Sequence, residues 1–157
     1  MVRLIKLAFI SFVILFLTVT AISLLIPSHI RISKAINVAP PAGDVLALIK
    51  DKNQWQQWHP VFQQKDSSTA SKLNSFILKA ASDSEVIYEL HYKKSRPVVN
   101  GWAMHSHTST DSLTLQWYMD FNLPWYPWQK FGSLFYENTY GVMMENGLTN
   151  IKKITGK

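Results

Sequence analysis

The sequence predicts an α+β protein in which an antiparallel sheet packs on a long C-terminal helix, with a transmembrane helix ahead of both. Three observations carry that expectation. Residues 7–26, LAFISFVILFLTVTAISLLI, hold no charge. Four strand-like runs between residues 73 and 121 are separated by short turn sequences. From Pro127 to Ile154 a broad apolar helical pattern runs without a proline. The chain has 157 residues, 47% hydrophobic and 17% charged, which suits one domain with a core and is unlike a disordered composition.

The first element is the apolar run. About twenty such residues in a helix cover the ~30 Å hydrocarbon layer of a bilayer. Arg3 and Lys6 precede the run and Pro27 closes it. A cleaved signal peptide is the competing reading, since Val19-Thr20-Ala21 offers small residues for cleavage. The run continues through Leu24, Leu25 and Ile26, long for a leader, so a retained single-pass anchor over 1–27 and a domain over 28–157 are expected. Arg31 and Lys34 balance Arg3 and Lys6 across the run. The closeness of the latter pair and the amino terminus to the run favours a cytoplasmic N-terminus and an extracytoplasmic domain.

HIRISKAINV follows, with Ile30, Ile32, Ile36 and Val38 on one face, Lys34 the exception there, and Arg31, Ser33 and Asn37 on the other: a half-buried strand. The prolines of APPAGDVLALIK pre-set a helix start, and Val45, Leu46, Leu48 and Ile49 give that helix its apolar stripe. Residues 51–53 break it. A second short helix carries Trp55 and Trp58 on one face and ends at Pro60. The polar stretch 63–72 reads as a loop. Runs over 73–80, 85–93, 97–107 and 112–121, broken by SDS, KKSR and TSTD, read as an antiparallel meander. In the last run Leu113, Leu115, Trp117, Met119 and Phe121 share one face and Thr114, Gln116, Tyr118 and Asp120 the other. The stretch from Pro127 is expected to be a single helix whose small residues, among them Gly132, Gly141 and Gly147, permit close approach to the sheet at a cost of about 1 kcal/mol per glycine.

This order resembles the helix-grip fold of the START-like, polyketide cyclase/dehydrase (SRPBCC) superfamily, in particular its membrane-anchored bacterial members. The resemblance rests on LLIPSHIRISKAINVAPPAGDVLALIKDKNQWQQWHPVF at the front and WYMDFNLPWYPWQKFGSLFYENTYGVMMENGLTNIKKI at the back, and covers the chain beyond the apolar run. It implies a strongly curved sheet wrapped around the long helix, with a cavity between them. The superfamily places an extra hairpin after the second helix; here only the stretch 63–72 fills that interval, so a smaller sheet and a reduced cavity are expected.

Residues 117–136 hold nine of the chain's twenty aromatic residues. Under the helix-grip reading Trp117 and Phe121 point inward from the last strand, Trp125, Tyr126 and Trp128 sit at the entry to the helix, and Phe131, Phe135 and Tyr136 line its first turns. Core packing competes with pocket lining for all of them, and membrane contact competes for Trp125, Tyr126 and Trp128. The candidate ligand-binding set is Trp58, Trp102, Trp117, Phe121, Trp125, Phe131, Phe135, Tyr136 and Met143. His59 is read as a helix-end capping or solvated histidine, with a pocket role as the alternative.

Other chemistries lack their parts. His105 and His107 share a strand face near His91, but no carboxylate has an evident place beside them, so no metal is expected. There is no Cys, nucleophile elbow or phosphate loop, and no cofactor is expected. Asp120, with Tyr118 or Tyr136, is the least easily dismissed acid, although alternation points it outward. The net charge of +6 includes Lys93, Lys94 and Arg96 in one turn and Lys152, Lys153 and Lys157 at the end. These read as solvated surface, or as contacts to anionic headgroups, and no nucleic-acid motif accompanies them. The favoured function is binding of an apolar or amphipathic small molecule, plausibly a lipid, without chemistry. Acid/base catalysis in the same cavity and a ligand-free structural module are the alternatives.

Overall fold

Strand alternation and helix periodicity resolve into a single five-stranded antiparallel sheet crossed by the C-terminal helix. The computed structural model describes residues 1–38, 42–63, 73–93, 95–106 and 113–156. The expectations for the prolines at 40 and 41, the loop 64–72, Lys94, His107, the turn 108–111 and Lys157 lie outside the described residues.

Helix α1, Val2–Ser23, is long and apolar enough to cross a membrane, and its side chains are almost all exposed. Strand β1, His29–Val38, begins after five intervening residues. Helix α2, Ala42–Lys50, buries Val45, Leu46 and Ile49. Asp51 ends it by accepting the backbone N–H of Asn53 and opening a 3-10 turn, after which α3, Trp55–Trp58, and α4, Pro60–Gln63, follow at an angle. The meander is β2, Leu73–Ala81, β3, Glu85–Tyr92, β4, Val98–Ser106, and β5, Leu113–Asn122. The sheet order is β1-β5-β4-β3-β2, so β1 returns to pair with the last strand and β2 is left at an edge.

The C-terminal helix is less regular than a continuous apolar pattern suggests. An α segment Pro127–Gly132 passes through a 3-10 turn, Ser133–Phe135, and a π turn, Glu137–Gly141, before the α segment Val142–Thr155. One local bond and two tertiary ion pairs accompany these turns. Ser133 Oγ donates to the Lys130 carbonyl, and Lys34 of β1 reaches up to both Glu137 (2.7 Å) and Glu145 (2.8 Å). Any side chain at Gly141 would meet Glu137 and Lys34 at about 3 Å. That explains the charged exception on the apolar face of β1: Lys34 is a tether between sheet and helix. Gly147 lies so close to the sheet that a Cβ there would come within 2.6 Å of the Trp117 ring.

Candidate functional site

Between sheet and helix the space is filled by tryptophan. Trp55, Trp58, Trp102 and Trp117 are all at most 1% exposed, and their rings meet edge-to-face or tilted at 5.2–5.9 Å. Such pairs contribute ~0.5–1.5 kcal/mol each beyond the area they bury. Two indole N–H groups pin α2: Trp55 donates to the Ile49 carbonyl (2.8 Å) and Trp58 to that of Leu48 (3.2 Å). Trp117 donates to Asn100 Oδ1.

His59 belongs to this cluster. It is 4% exposed, stacked on Trp55 with ring centroids 5.6 Å apart, and in contact with Trp58, Phe62 and Trp117. Its Nδ1 accepts the Val61 backbone N–H, so the capping reading holds and the solvated one does not. Burial drives its pKa down to about 3, and the ring is neutral at physiological pH.

What the tryptophans leave is a cavity of about 20 Å³ among His59, Phe62, Phe76, Tyr92, Asn100 and Met143. Small-molecule sites occupy ~300–1,000 Å³. This one has room for about one water, the ordinary partner for a group such as Asn100 Nδ2, which is buried and finds no acceptor among the described residues. The sheet–helix interior is therefore a packed core.

A second hollow lies at one end of the sheet. It is half-open, about 990 Å³, and sits between the β3–β4 turn and the connection from β5 into the C-terminal helix. Phe121 floors it, with Tyr136 and Tyr140 both at 4.8 Å between ring centroids. Val98, Leu123 and Pro124 add apolar wall, while Lys93, Arg96, Asn122 and Gln129 supply polar groups. Tyr92 and Tyr140 line both this groove and the small inner cavity, so the pair forms the partition between them. Burial pushes the Tyr92 hydroxyl up to about 12 and raises Tyr140 as well, which keeps both protonated. Among the described residues the lining contains no carboxylate, histidine or cysteine.

The expected ligand-binding residues separate accordingly. Phe121 and Tyr136 line the groove, and Met143 lines the inner cavity. Trp58, Trp102 and Trp117 are fully buried in the core. Trp125 is 58% exposed and Phe135 66%, while Phe131 is half-buried; none of these three lines either hollow. Tyr92, Val98, Leu123 and Tyr140 are groove residues outside the expected set. Tyr140, four residues after Tyr136, carried the one signal that could have found them.

Asp120 faces outward, as alternation has it, and lines neither hollow. Both its oxygens accept from Arg31 at 2.6 Å, and the register sets these residues opposite each other on β1 and β5. Beside it Tyr118 is outward yet buried, because it lies over Gly101, its partner on β4, where a Cβ would come within 2.2 Å of its ring. The Arg31 guanidinium covers that ring at 4.4 Å, and the Tyr118 hydroxyl donates to Glu85. His105 is exposed and bonded to Gln116, and His91 to Glu89 at 2.6 Å. Among the described residues no group of three or more His, Cys, Asp or Glu side chains is placed to hold a metal.

The groove occupies the end of the sheet where the chain leaves α1. His29 pairs with Asn122 and Val98 with Phe121, and the Leu123 N–H donates to the Ser28 carbonyl at 2.7 Å. Lys130, only 2% exposed, donates to the Ile26 carbonyl (2.7 Å) and to Ser28 Oγ (2.8 Å). Next to this junction Trp125 tilts against Tyr126 at 5.1 Å and Tyr126 stacks on Trp128 at 5.0 Å, with Trp125 and Trp128 largely exposed.

No family model matches the sequence, and no curated protein matches it. Solved structures do resemble the fold. A START superfamily protein from Mycobacterium smegmatis aligns at TM-score 0.53 and 15% identity, over 82% of this chain and 97% of its own. The di-domain ARO/CYC protein StfQ of the steffimycin biosynthetic pathway aligns at TM-score 0.57 and 6% identity, over 82% of this chain and 51% of StfQ. Protein CV1439 from Chromobacterium violaceum aligns at TM-score 0.55 and 12% identity, over 83% of this chain and 99% of its own. The fold is START-like: a five-stranded antiparallel sheet with a long C-terminal helix.

Proposed function

We propose that this START-like chain is a single-span membrane protein that binds an amphipathic small molecule, without chemistry, in the groove at the α1-proximal end of its sheet. The observation that carries the reading is the contrast in space: about 990 Å³ in the groove against about 20 Å³ in the interior. The groove has the size of a small-molecule site, and its lining combines aromatic and apolar side chains with polar groups. Among the described residues its lining lacks the carboxylate and histidine that acid/base work most often uses. StfQ and the M. smegmatis protein share the fold, and a shared fold does not specify a ligand.

The membrane half of the reading rests on α1 and on what surrounds its end. The short, hydrogen-bonded link from Ile26 to His29 holds the groove beside that end. Amphipathic rings such as Trp125, Tyr126 and Trp128 favour the bilayer interface, where they would rest with the groove mouth next to them. Arg3 and Lys6 favour a cytoplasmic N-terminus and an extracytoplasmic groove.

Native mass spectrometry of the full chain, purified in a mild detergent, tests the binding. A retained amphipathic mass, lost in Tyr136→Ala and kept in Asp120→Asn on the opposite sheet face, is the expected result. A wild-type chain that stays ligand-free after challenge with a lipid extract would remove the binding reading.

A further inference from the structure

The groove is charged on one side only. Lys93 and Arg96, with Ser95 between them, stand on the β3–β4 turn at its rim, while Phe121 and Tyr136 lie below. Both cations are exposed, and among the described residues no ion pair engages either one. Asn122 and Gln129, also in the lining, bring no negative charge. The contrast with the other sheet-facing cations is plain: Arg31 is committed to Asp120, and Lys34 to Glu137 and Glu145. An apolar floor with two uncommitted cations at its lip matches a ligand with an alkyl chain and an anionic head.

Resting on the groove reading above, we infer that the ligand is an anionic amphiphile, its chain against Phe121, Tyr136 and Tyr140 and its carboxylate or phosphate head between Lys93 and Arg96. An arginine fork presents paired donors to either oxyanion, and a lysine adds a point charge. The chemistry of the head is shared by a free fatty acid and a phosphate-bearing lipid. Membrane position reinforces the selection, because cationic side chains at a bilayer surface concentrate anionic headgroups.

Isothermal titration of the full chain in a nonionic detergent, with laurate, dodecyl phosphate and dodecanol, tests this. The two anions are expected to bind about tenfold or more tighter than the alcohol, the scale of one to two charge contacts. In a K93Q/R96Q double variant that preference should shrink to about twofold while dodecanol binding is unchanged. Lys93→Glu should weaken the anions further, again sparing the alcohol. Dodecyl phosphate tighter than laurate would identify a phosphate head, and the reverse order a fatty acid; either supports the inference. Dodecanol binding as tightly as the anions to the wild-type chain would overturn it and leave the groove reading standing. Failure of all three to bind would remove both.

Discussion

His59 shows how far one side chain's chemistry is set by packing. A histidine in the turn WHP reads from sequence as a cap or a solvated ring, and its Nδ1 accepts the Val61 N–H. Nothing in the local sequence shows that Trp55, Trp58, Phe62 and Trp117 converge on it from three elements. With a folded-state pKa of about 3 against an ordinary 6.5, the unfolded chain binds the extra proton between those values. Stability therefore rises with pH across that window and is fully present above 6.5, with a slope of up to ~1.4 kcal/mol per pH unit from this group. Denaturant unfolding of the full chain between pH 4 and 7 should show that slope, and His59→Gln should remove it; equal slopes in both would contradict the assignment. Asp120 and Tyr118 make the complementary point. Alternation gave their direction correctly, but the burial of Tyr118 depends on Gly101, which the pattern of β5 alone cannot reveal.

The C-terminal helix is the element where pattern and packing diverge most. Its apolar positions and small residues were legible, and so was close approach to the sheet. Which glycine makes that approach was not, since it depends on where β5 lies beneath the helix. Gly147 faces the Trp117 ring, whereas nothing lies within 4 Å of a Cβ at Gly132. Gly147→Ala should destabilise by about 1–3 kcal/mol despite its gain in helix propensity, because the Trp117 side chain is packed on every side. Gly132→Ala, in helical backbone, should stabilise by roughly 0.5–1 kcal/mol. Thermal unfolding of the two variants measures both, and the same sign for each would contradict this account of the interface. The 3-10 and π turns escape sequence reading for a related reason. They lie beside Lys34, a residue roughly a hundred positions away in the chain that bonds Glu137 in the π turn and Glu145 in the α segment beyond it.

At the scale of the whole molecule, the order of strand, short helices, meander and helix was legible because each segment carries its own periodicity. The site was legible only in part. A helix-grip arrangement directs attention to the space between sheet and helix, and that expectation gathered Trp58, Trp102 and Trp117. In this chain those indoles fill the space, consistent with a sheet of five strands that has less volume to enclose. The open volume lies instead at the end of the sheet, between two connections whose meeting no strand or helix pattern encodes. That end is also where α1 joins β1, so the apolar helix, the aromatic rings and the groove converge on one side of the fold. The central claim is that a ligand occupies this groove and not the interior. Photo-crosslinking of the full chain with a diazirine-bearing alkyl phosphate, mapped by peptide mass spectrometry, tests it most directly. Outside α1, adducts are expected on the peptides that carry Tyr92 to Val98, Phe121 to Tyr126, and Tyr136 to Tyr140. Adducts concentrated at Trp58, Trp102 and Trp117, or confined to α1, would contradict it.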